Sequence, residues 1–486
     1  MRISQESYID FRNLVTRSTL IVLIYIFLKP IFKSNKTLLN IIITIFIVST
    51  ISQSQMFSSL KNRLNSLLNK NISSNNNNII NSIKPLNPAF PEIKNQEDRL
   101  DLLYALKNIN LYRSNCRDWN DKKRSLFGTL TWRQQDLVKK CHYLNKINKI
   151  DKLIDENYKL LNDLYKFNLK NYEIDSMELK LSNEFFKNSN NYKINSNFRV
   201  IESLCHYTRD WSTNGNIEIE PLIDYIKTQI SKNIKDFDKT TVIVPGSGLG
   251  RISHEISKLS KNNNTLRSVH AIEYSWLMYL FNNFIYGNSS SSSSSISNES
   301  NKIYKIHPYI HNYSNHVNVE DQLRSVDLNF SDFKKPENLH LHRCDFTRFE
   351  LFNNSNNKDK DNNNSNGTII KDTKEELKDI VIVTAFFIDT AENLIDYFDS
   401  INRLCKSLPL KGKKIWINVG PLKYGTAAKV ELSYEEIKQL RSLMGWKCID
   451  EIENPEILGY LTDVKGLWQG YYGVTMSTCE LTNQSN

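Results

Sequence analysis

Residues 240 to 257 read TTVIVPGSGLGRISHEIS: a β-branched run, glycines at 246, 248 and 250, then a stretch with helical spacing. Glycines that follow a buried strand let the chain turn tightly and bring backbone N–H groups and a helix N-terminus close to a ligand. The spacing is G-x-G-x-G; Arg251 stands where a dinucleotide loop would carry its last glycine, and no Gly-Lys-Ser/Thr of a triphosphate cradle follows. Close packing of helix on strand would use the same turn, so the loop needs a second signal. The next strand-like segment, SVHAIEY, ends on Glu273, where a carboxylate can accept hydrogen bonds from both hydroxyls of a ribose. A further segment, LHLHRCDF, carries Asp345 and Phe346 at its tip. That pair suits an adenine amino group and the ring face, or a simple capped turn.

Adenosine recognition without a pyrophosphate loop or a phosphate-binding lysine points to S-adenosylmethionine as the cofactor. Methyl transfer from a sulfonium is an in-line displacement, in which a protein mainly positions the reactants and excludes water.

These residues need a scaffold, and the bulk properties bound it. A chain of 486 residues is too long for one core and implies two or three domains. The formal charge is +10, yet the basic residues are spread through Asn/Lys-rich segments and form no stripe, so no nucleic-acid partner is expected. Seven cysteines, an odd number without a C-x-x-C pair, read as a reduced intracellular chain with a cytosolic catalytic part. His307, His311, His316, His340 and His342 lack carboxylate or cysteine partners at ligand spacing, and no metal is expected.

Two apolar runs, 18 to 28 and 38 to 52, are each shorter than the ~20 residues that span a bilayer, and make residues 1–60 a candidate membrane anchor. An Asn-rich linker covers 61–95, and low-complexity insertions lie at 288–300 and 352–367. Residues 96–200 carry Ile and Leu at three- and four-residue spacings and form a helical cap domain. From 201 to 482 strands alternate with helices: 240–244, 268–274, 339–346, 379–387, 413–419, 446–453 and 471–479 read as strands. Such alternation implies an α/β fold, a seven-stranded, mostly parallel sheet covered on both faces. Ser433 and Glu436 have capping-box spacing, and Gly445 is a stop for that helix.

The blocks VIVPGSGLGR, AIEYSWLMYLFNNFI, YKIHPYIHNYSN, CDF, FFIDTAENLIDYFDSI, IWINVGPLKY and VELSYEEIK, in this order, resemble the carnosine N-methyltransferase family. The likeness covers most of 200 to 480, with weaker similarity from about 98 to 165. It implies a Rossmann-like class I S-adenosylmethionine-dependent methyltransferase that moves a methyl to the imidazole of carnosine, giving anserine, or to a related histidine-containing dipeptide. It also implies cofactor contacts at His206, Arg209, Gly246, Gly248, Glu273, Asp345, Phe346 and Ala385, and substrate contacts at Asp389, Tyr460 and Tyr472. His206 stands where the family has a glutamine, Ala385 where a cysteine is expected, and Gly425 where GPLKYG departs from a substrate-contacting histidine.

An imidazole nitrogen is nucleophilic only when unprotonated. A carboxylate taking the ring's other N–H would fix the tautomer, the catalytic role expected of Asp389; its alternative is to N-cap a helix starting near Ala391. Partners expected are the small dipeptide, a membrane surface through residues 18–52 and, as a candidate, a second copy of the chain. Two other readings stand beside this one: a methyltransferase for another imidazole or a protein histidine, and a protein that binds the cofactor without turnover.

Overall fold

The computed structural model describes residues 87, 89–189, 192, 197–287, 302–312, 315–352, 376–408 and 411–482. The two apolar runs, most of the linker and nearly all of both insertions lie outside them. No helix among the described residues is long and apolar enough to cross a membrane.

Among the described residues six helices come first: α1 (Gln96–Gly128), α2 (Trp132–Lys140), α3 (Tyr143–Asn171), α4 (Ser176–Asn188), α5 (Asn197–Trp211) and α6 (Asn216–Asn233). In α3, Ile147, Ile150, Ile154, Leu161 and Leu164 are wholly buried, the three- and four-residue spacing that turns one face inward. Asn95 caps α1 by accepting from the Asp98 N–H, which leaves the Asp98 carboxylate free to pair with Arg343 on the sheet.

The alternating region follows as β1 (Thr240–Pro245), α7 (Arg251–Ser257), β2 (Ser268–Glu273), α8 (Trp276–Gly287), β3 (Leu339–Arg343), β4 (Asp379–Ala385), α9 (Leu394–Lys406), β5 (Lys414–Gly420), α10 (Tyr434–Leu443), β6 (Trp446–Gly459) and β7 (Tyr471–Leu481). These seven strands form one sheet in the order β6-β7-β5-β4-β1-β2-β3; β7 runs antiparallel to both neighbours and the rest are parallel. Val242 and Ile243, Ile380 to Val383 and Ile415 to Ile417 are essentially fully buried, because helices cover both faces. This is the α/β fold the alternation implies, and α1 and α3 belong to the same compact unit.

The structure differs from the sequence reading in several elements. Two small two-stranded antiparallel sheets, Ser260–Lys261 with Asn264–Thr265 and Ile303–Ile306 with Val326–Asn329, had no signal of their own. β6 runs on to Gly459, because pairing with β7 carries it past a register shift between Ile452 and Glu456. The helix expected near Ala391 begins at Leu394 and is capped by Asn393, whose side chain accepts from the Ile395 N–H; the capping role is therefore not Asp389's. Ser433 and Glu436 form the expected capping box.

Candidate functional site

From β1 the chain moves outward through β2 and β3, then returns to place β4 and β5 on the other side. The strand ends of β1 and β4 therefore border the crevice where open α/β sheets take ligands. The glycine loop leaves β1 there. Gly246 has φ +63°, and a β-carbon on it would fall 2.3 Å from Phe387 Cδ2; Gly250, at φ +80°, would meet the Asn282 amide nitrogen at 2.6 Å. Both must be glycine for packing as well as for backbone. Gly248, at φ +54°, has only the terminal methyl of Met278 near it, at 3.8 Å.

Glu273 closes the loop from the tip of β2: its carboxylate accepts from the Gly248 N–H at 2.9 Å and the Ser275 N–H at 2.8 Å. Burial pushes its carboxyl above the usual range, and the N–H donors pull back. Arg251, in the place of a dinucleotide loop's last glycine, donates from Nη1 to the Asp210 carbonyl at 3.0 Å and lies over the Trp211 and Phe333 rings. Trp211 Nε1 donates to the Leu249 carbonyl at 3.0 Å. The arginine thus fastens the loop to the end of α5.

α5 delivers HYTRDWS to the same crevice. The Arg209 guanidinium lies 4.7 Å from the Tyr460 ring centre and donates from Nη1 to Asp210 at 2.8 Å. His206 meets the Tyr460 ring edge-on, and burial, with Arg209 beside it, depresses its pKa to about 3. Tyr460 in turn stacks on Phe386, whose backbone is held at φ +51° just beyond β4. Glu218, on α6, supports the turn after Tyr460 by accepting from the Leu461 and Thr462 N–H groups at 2.9 and 2.8 Å.

Together these elements line a cavity of about 70 Å³ whose wall includes His206, Arg209, Gly246, Gly248, Ala385 and Tyr460. Three wall residues, Ser247, Arg209 and Arg251, carry buried polar atoms without a hydrogen-bond partner, the hydroxyl oxygen and the two Nε atoms. An orphaned hydroxyl and orphaned guanidinium nitrogens beside a ribose-type carboxylate fit the amino-acid and ribose portions of S-adenosylmethionine.

Toward β3, Asp345 accepts from both the N–H and the hydroxyl of Thr347 through Oδ1, so it does cap its turn. Its Oδ2 is engaged only by Arg348 at 3.9 Å among the described residues. Phe346 is buried, edge-on to Phe387 and Tyr397. On the far side of β4, Asp389 accepts from the Lys423 N–H at 2.8 Å, and burial raises its pKa. Lys423 Nζ donates to the Tyr472 hydroxyl at 3.0 Å, and Tyr472 meets Phe386 edge-on. Of the predicted residues, His206, Arg209, Gly246, Gly248, Ala385 and Tyr460 share the cavity wall, Tyr472 meets it through Phe386, and Asp389 touches the backbone of Lys423, whose ammonium reaches Tyr472. Phe386, Glu218 and Lys423 were missed as contributors; their roles depend on residues remote in sequence, and no local pattern marks them.

The family described as "Carnosine N-methyltransferase" matches residues 186–483. The mouse protein named carnosine N-methyltransferase is 28% identical over 80% of this chain and 89% of its own length. An uncharacterised protein of Saccharomyces cerevisiae is 32% identical over 57% of this chain; the match spans about half of that protein's length, 53%. Among solved structures, an Aquifex aeolicus protein titled a SAM dependent methyltransferase is 10% identical, covering 58% of this chain and 98% of that one with a TM-score of 0.28. The fold assignment rests on the strand order rather than on that likeness.

Proposed function

From the premise that this chain belongs to the carnosine N-methyltransferase family, a group of S-adenosylmethionine-dependent enzymes, we propose that it methylates the imidazole nitrogen of carnosine, giving anserine, or of a closely related histidine-containing dipeptide. Mouse, rat and fission-yeast proteins bearing the carnosine N-methyltransferase name match across about 80% of the chain, which supports that acceptor class. The observation that carries the reading is the pairing of a cofactor-type cavity with a buried carboxylate, Asp389, linked to it through Lys423, Tyr472 and Phe386.

S-adenosylmethionine supplies, when bound, a methyl on a positively charged sulfur. His206, Arg209, the loop from Gly246 to Gly250, Glu273 and Ala385 would hold its amino-acid and ribose portions, and Asp345 and Phe346 its adenine end. Asp389 accepts the N–H of the acceptor imidazole, which directs the ring's lone pair toward the methyl and disperses the charge that appears on the ring as the new bond forms. Tyr460 and Tyr472 wall the acceptor and exclude water. His206 is neutral at working pH and shapes the wall without adding charge.

Gly425 supports a second reading. Nothing lies within 4 Å of where its β-carbon would be, so the family's substrate-contacting histidine has no replacement packed into its place, and another imidazole or a protein histidine is the acceptor that reading names. Membrane attachment and pairing into a homodimer gain no support from the described residues.

The test is methyl transfer from labelled S-adenosylmethionine by the full chain to carnosine, homocarnosine, free histidine and a histidine-containing peptide. Label on the ring nitrogen of carnosine is the expected result. Label on the peptide alone would establish the second reading, and cofactor binding with no labelled acceptor would leave a binding protein without turnover.

A further inference from the structure

Cys448 on β6 and Cys479 on β7 stand directly opposite each other in the antiparallel register. Such partners point to the same face of a sheet with α-carbons about 4.5 to 5.5 Å apart, inside the range a disulfide spans. Both are free thiols, and they hydrogen-bond to each other. Their surroundings are unequal. β6 is the edge strand of the sheet and Cys448 is exposed on it, whereas Cys479 is buried in the core beside α10.

The register shifts just past Cys448, and its thiol donates to the Asp450 carbonyl at 3.4 Å. Arg441, buried on α10, donates from Nη1 to the Cys479 sulfur at 3.5 Å and to the Ser477 hydroxyl at 2.6 Å. A guanidinium and a second thiol beside a sulfur favour its thiolate. The hydrogen bond from Cys479 lowers the Cys448 pKa to about 7, with Arg441 acting the same way against partial burial and the Glu451 charge; the Cys479 thiol is raised in return. Burial dominates at the other enclosed cysteines and pushes Cys116, Cys205 and Cys405 up to about 12 and Cys344 to about 11. Cys448 therefore combines exposure, thiolate character and a partner sulfur in reach.

We propose that Cys448 and Cys479 form a reversible redox site, in which hydrogen peroxide converts the pair to a disulfide across the β6–β7 hairpin. The Cys448 thiolate attacks one peroxide oxygen and the O–O bond breaks, which leaves a sulfenic acid on Cys448 and a hydroxide that takes up a proton to become water. The Cys479 sulfur then displaces the sulfenic hydroxyl, which departs with the Cys479 proton as a second water. The two sulfurs give up two electrons and the peroxide receives them. This site is independent of the acceptor reading: Tyr472 pairs with Leu458 at the other end of the hairpin, and the strand from 472 to 479 spans roughly 20 Å.

The experiment exposes the reduced full chain to hydrogen peroxide and maps its cysteines by mass spectrometry without reduction. A Cys448–Cys479 linkage that dithiothreitol reverses is expected, and at pH 7 iodoacetamide should label Cys448 about three-fold faster than Cys141, which is also exposed. Cys448→Ser, which should melt like wild type, should leave Cys479 a thiol under the same treatment, and Cys141→Ser should still form the linkage. Oxidation of Cys448 to a sulfinic acid without a linkage, its pairing with a second chain or with another cysteine, or labelling no faster than Cys141 would each overturn the site. Oxidation of Cys479 in Cys448→Ser would overturn Cys448 as the attacking thiol and the site with it.

Discussion

Phe386 lies on Tyr460 with ring centres 4.8 Å apart and planes 21° apart, and it does so from a left-handed backbone at φ +51°. An aromatic residue in that conformation stores of the order of 1–3 kcal/mol unless its surroundings fix it. Here the Phe386 N–H donates to the Val419 carbonyl at 2.9 Å, Tyr472 closes one edge, and Arg209 lies over both rings. Tyr460→Ala should therefore release Phe386 and Arg209 together. The expected outcome is a KM for S-adenosylmethionine raised about ten-fold or more, whereas Tyr460→Phe, which keeps the stack, stays within about three-fold. Steady-state kinetics at saturating acceptor separates the two variants.

Asp389→Asn isolates the charge from the geometry. The Asp389 carboxylate accepts from the Lys423 N–H, and an amide oxygen in its place can accept the same bond, so thermal stability should change little. The loss of an anion facing the imidazole N–H should lower kcat/KM for carnosine by about a hundred-fold. Wild-type activity should fall on acidification, because the acceptor imidazole, with an ordinary pKa of about 6.5, loses its lone pair and the carboxyl of Asp389, raised by burial, begins to take a proton. Full activity in Asp389→Asn would remove the orienting role.

How far the sequence could be read follows a physical line. The central strands β1, β2, β4 and β5 are visible in it because burial on both faces writes continuous apolar runs such as TTVIV and DIVIVTA. The loop glycines and Glu273 are legible because a tight turn and a strand tip each demand a residue type. The contacts that complete the site carry no such mark. Glu218 supports the turn at Leu461 across more than two hundred residues of chain, and Asp389 meets a backbone N–H, which any residue at 423 would offer. Asp389 could equally cap a helix by pattern; only the structure gives that cap to Asn393.

Gly425→His is expected to be tolerated and useful. A β-carbon there meets nothing within 4 Å, and the glycine's φ is not left-handed, so stability should shift by no more than about 0.5 kcal/mol. With an imidazole able to reach the acceptor, the KM for carnosine should fall by about three-fold or more while kcat stays near wild type. No change in KM, in a variant that melts like wild type, would mean the acceptor lies away from the loop after Lys423.

Five histidines make the fold acid-sensitive in a calculable sense. Burial depresses His206, His311 and His342 to about 3 and His254 to about 4, and holds His270 well below its ordinary value. His270 and His342 share a ring-nitrogen contact of 2.9 Å inside the β2–β3 pair, and the other ring nitrogen of His342, Nδ1, has no hydrogen-bond partner among the described residues. The unfolded chain titrates these groups near the ordinary value of about 6.5, so their contribution is complete above that pH and is lost as pH falls toward the folded values. Each group, once protonated only in the unfolded state, costs about 1.4 kcal/mol per pH unit. Urea unfolding at pH 7, 6 and 5 should show a decline that steepens below pH 6. His206→Gln, which gives up no hydrogen bond among the described residues and puts the family's residue in the wall, should make the decline shallower by about one-fifth. A stability flat from pH 7 to 5 would mean these side chains reach water or find acceptors in the folded protein.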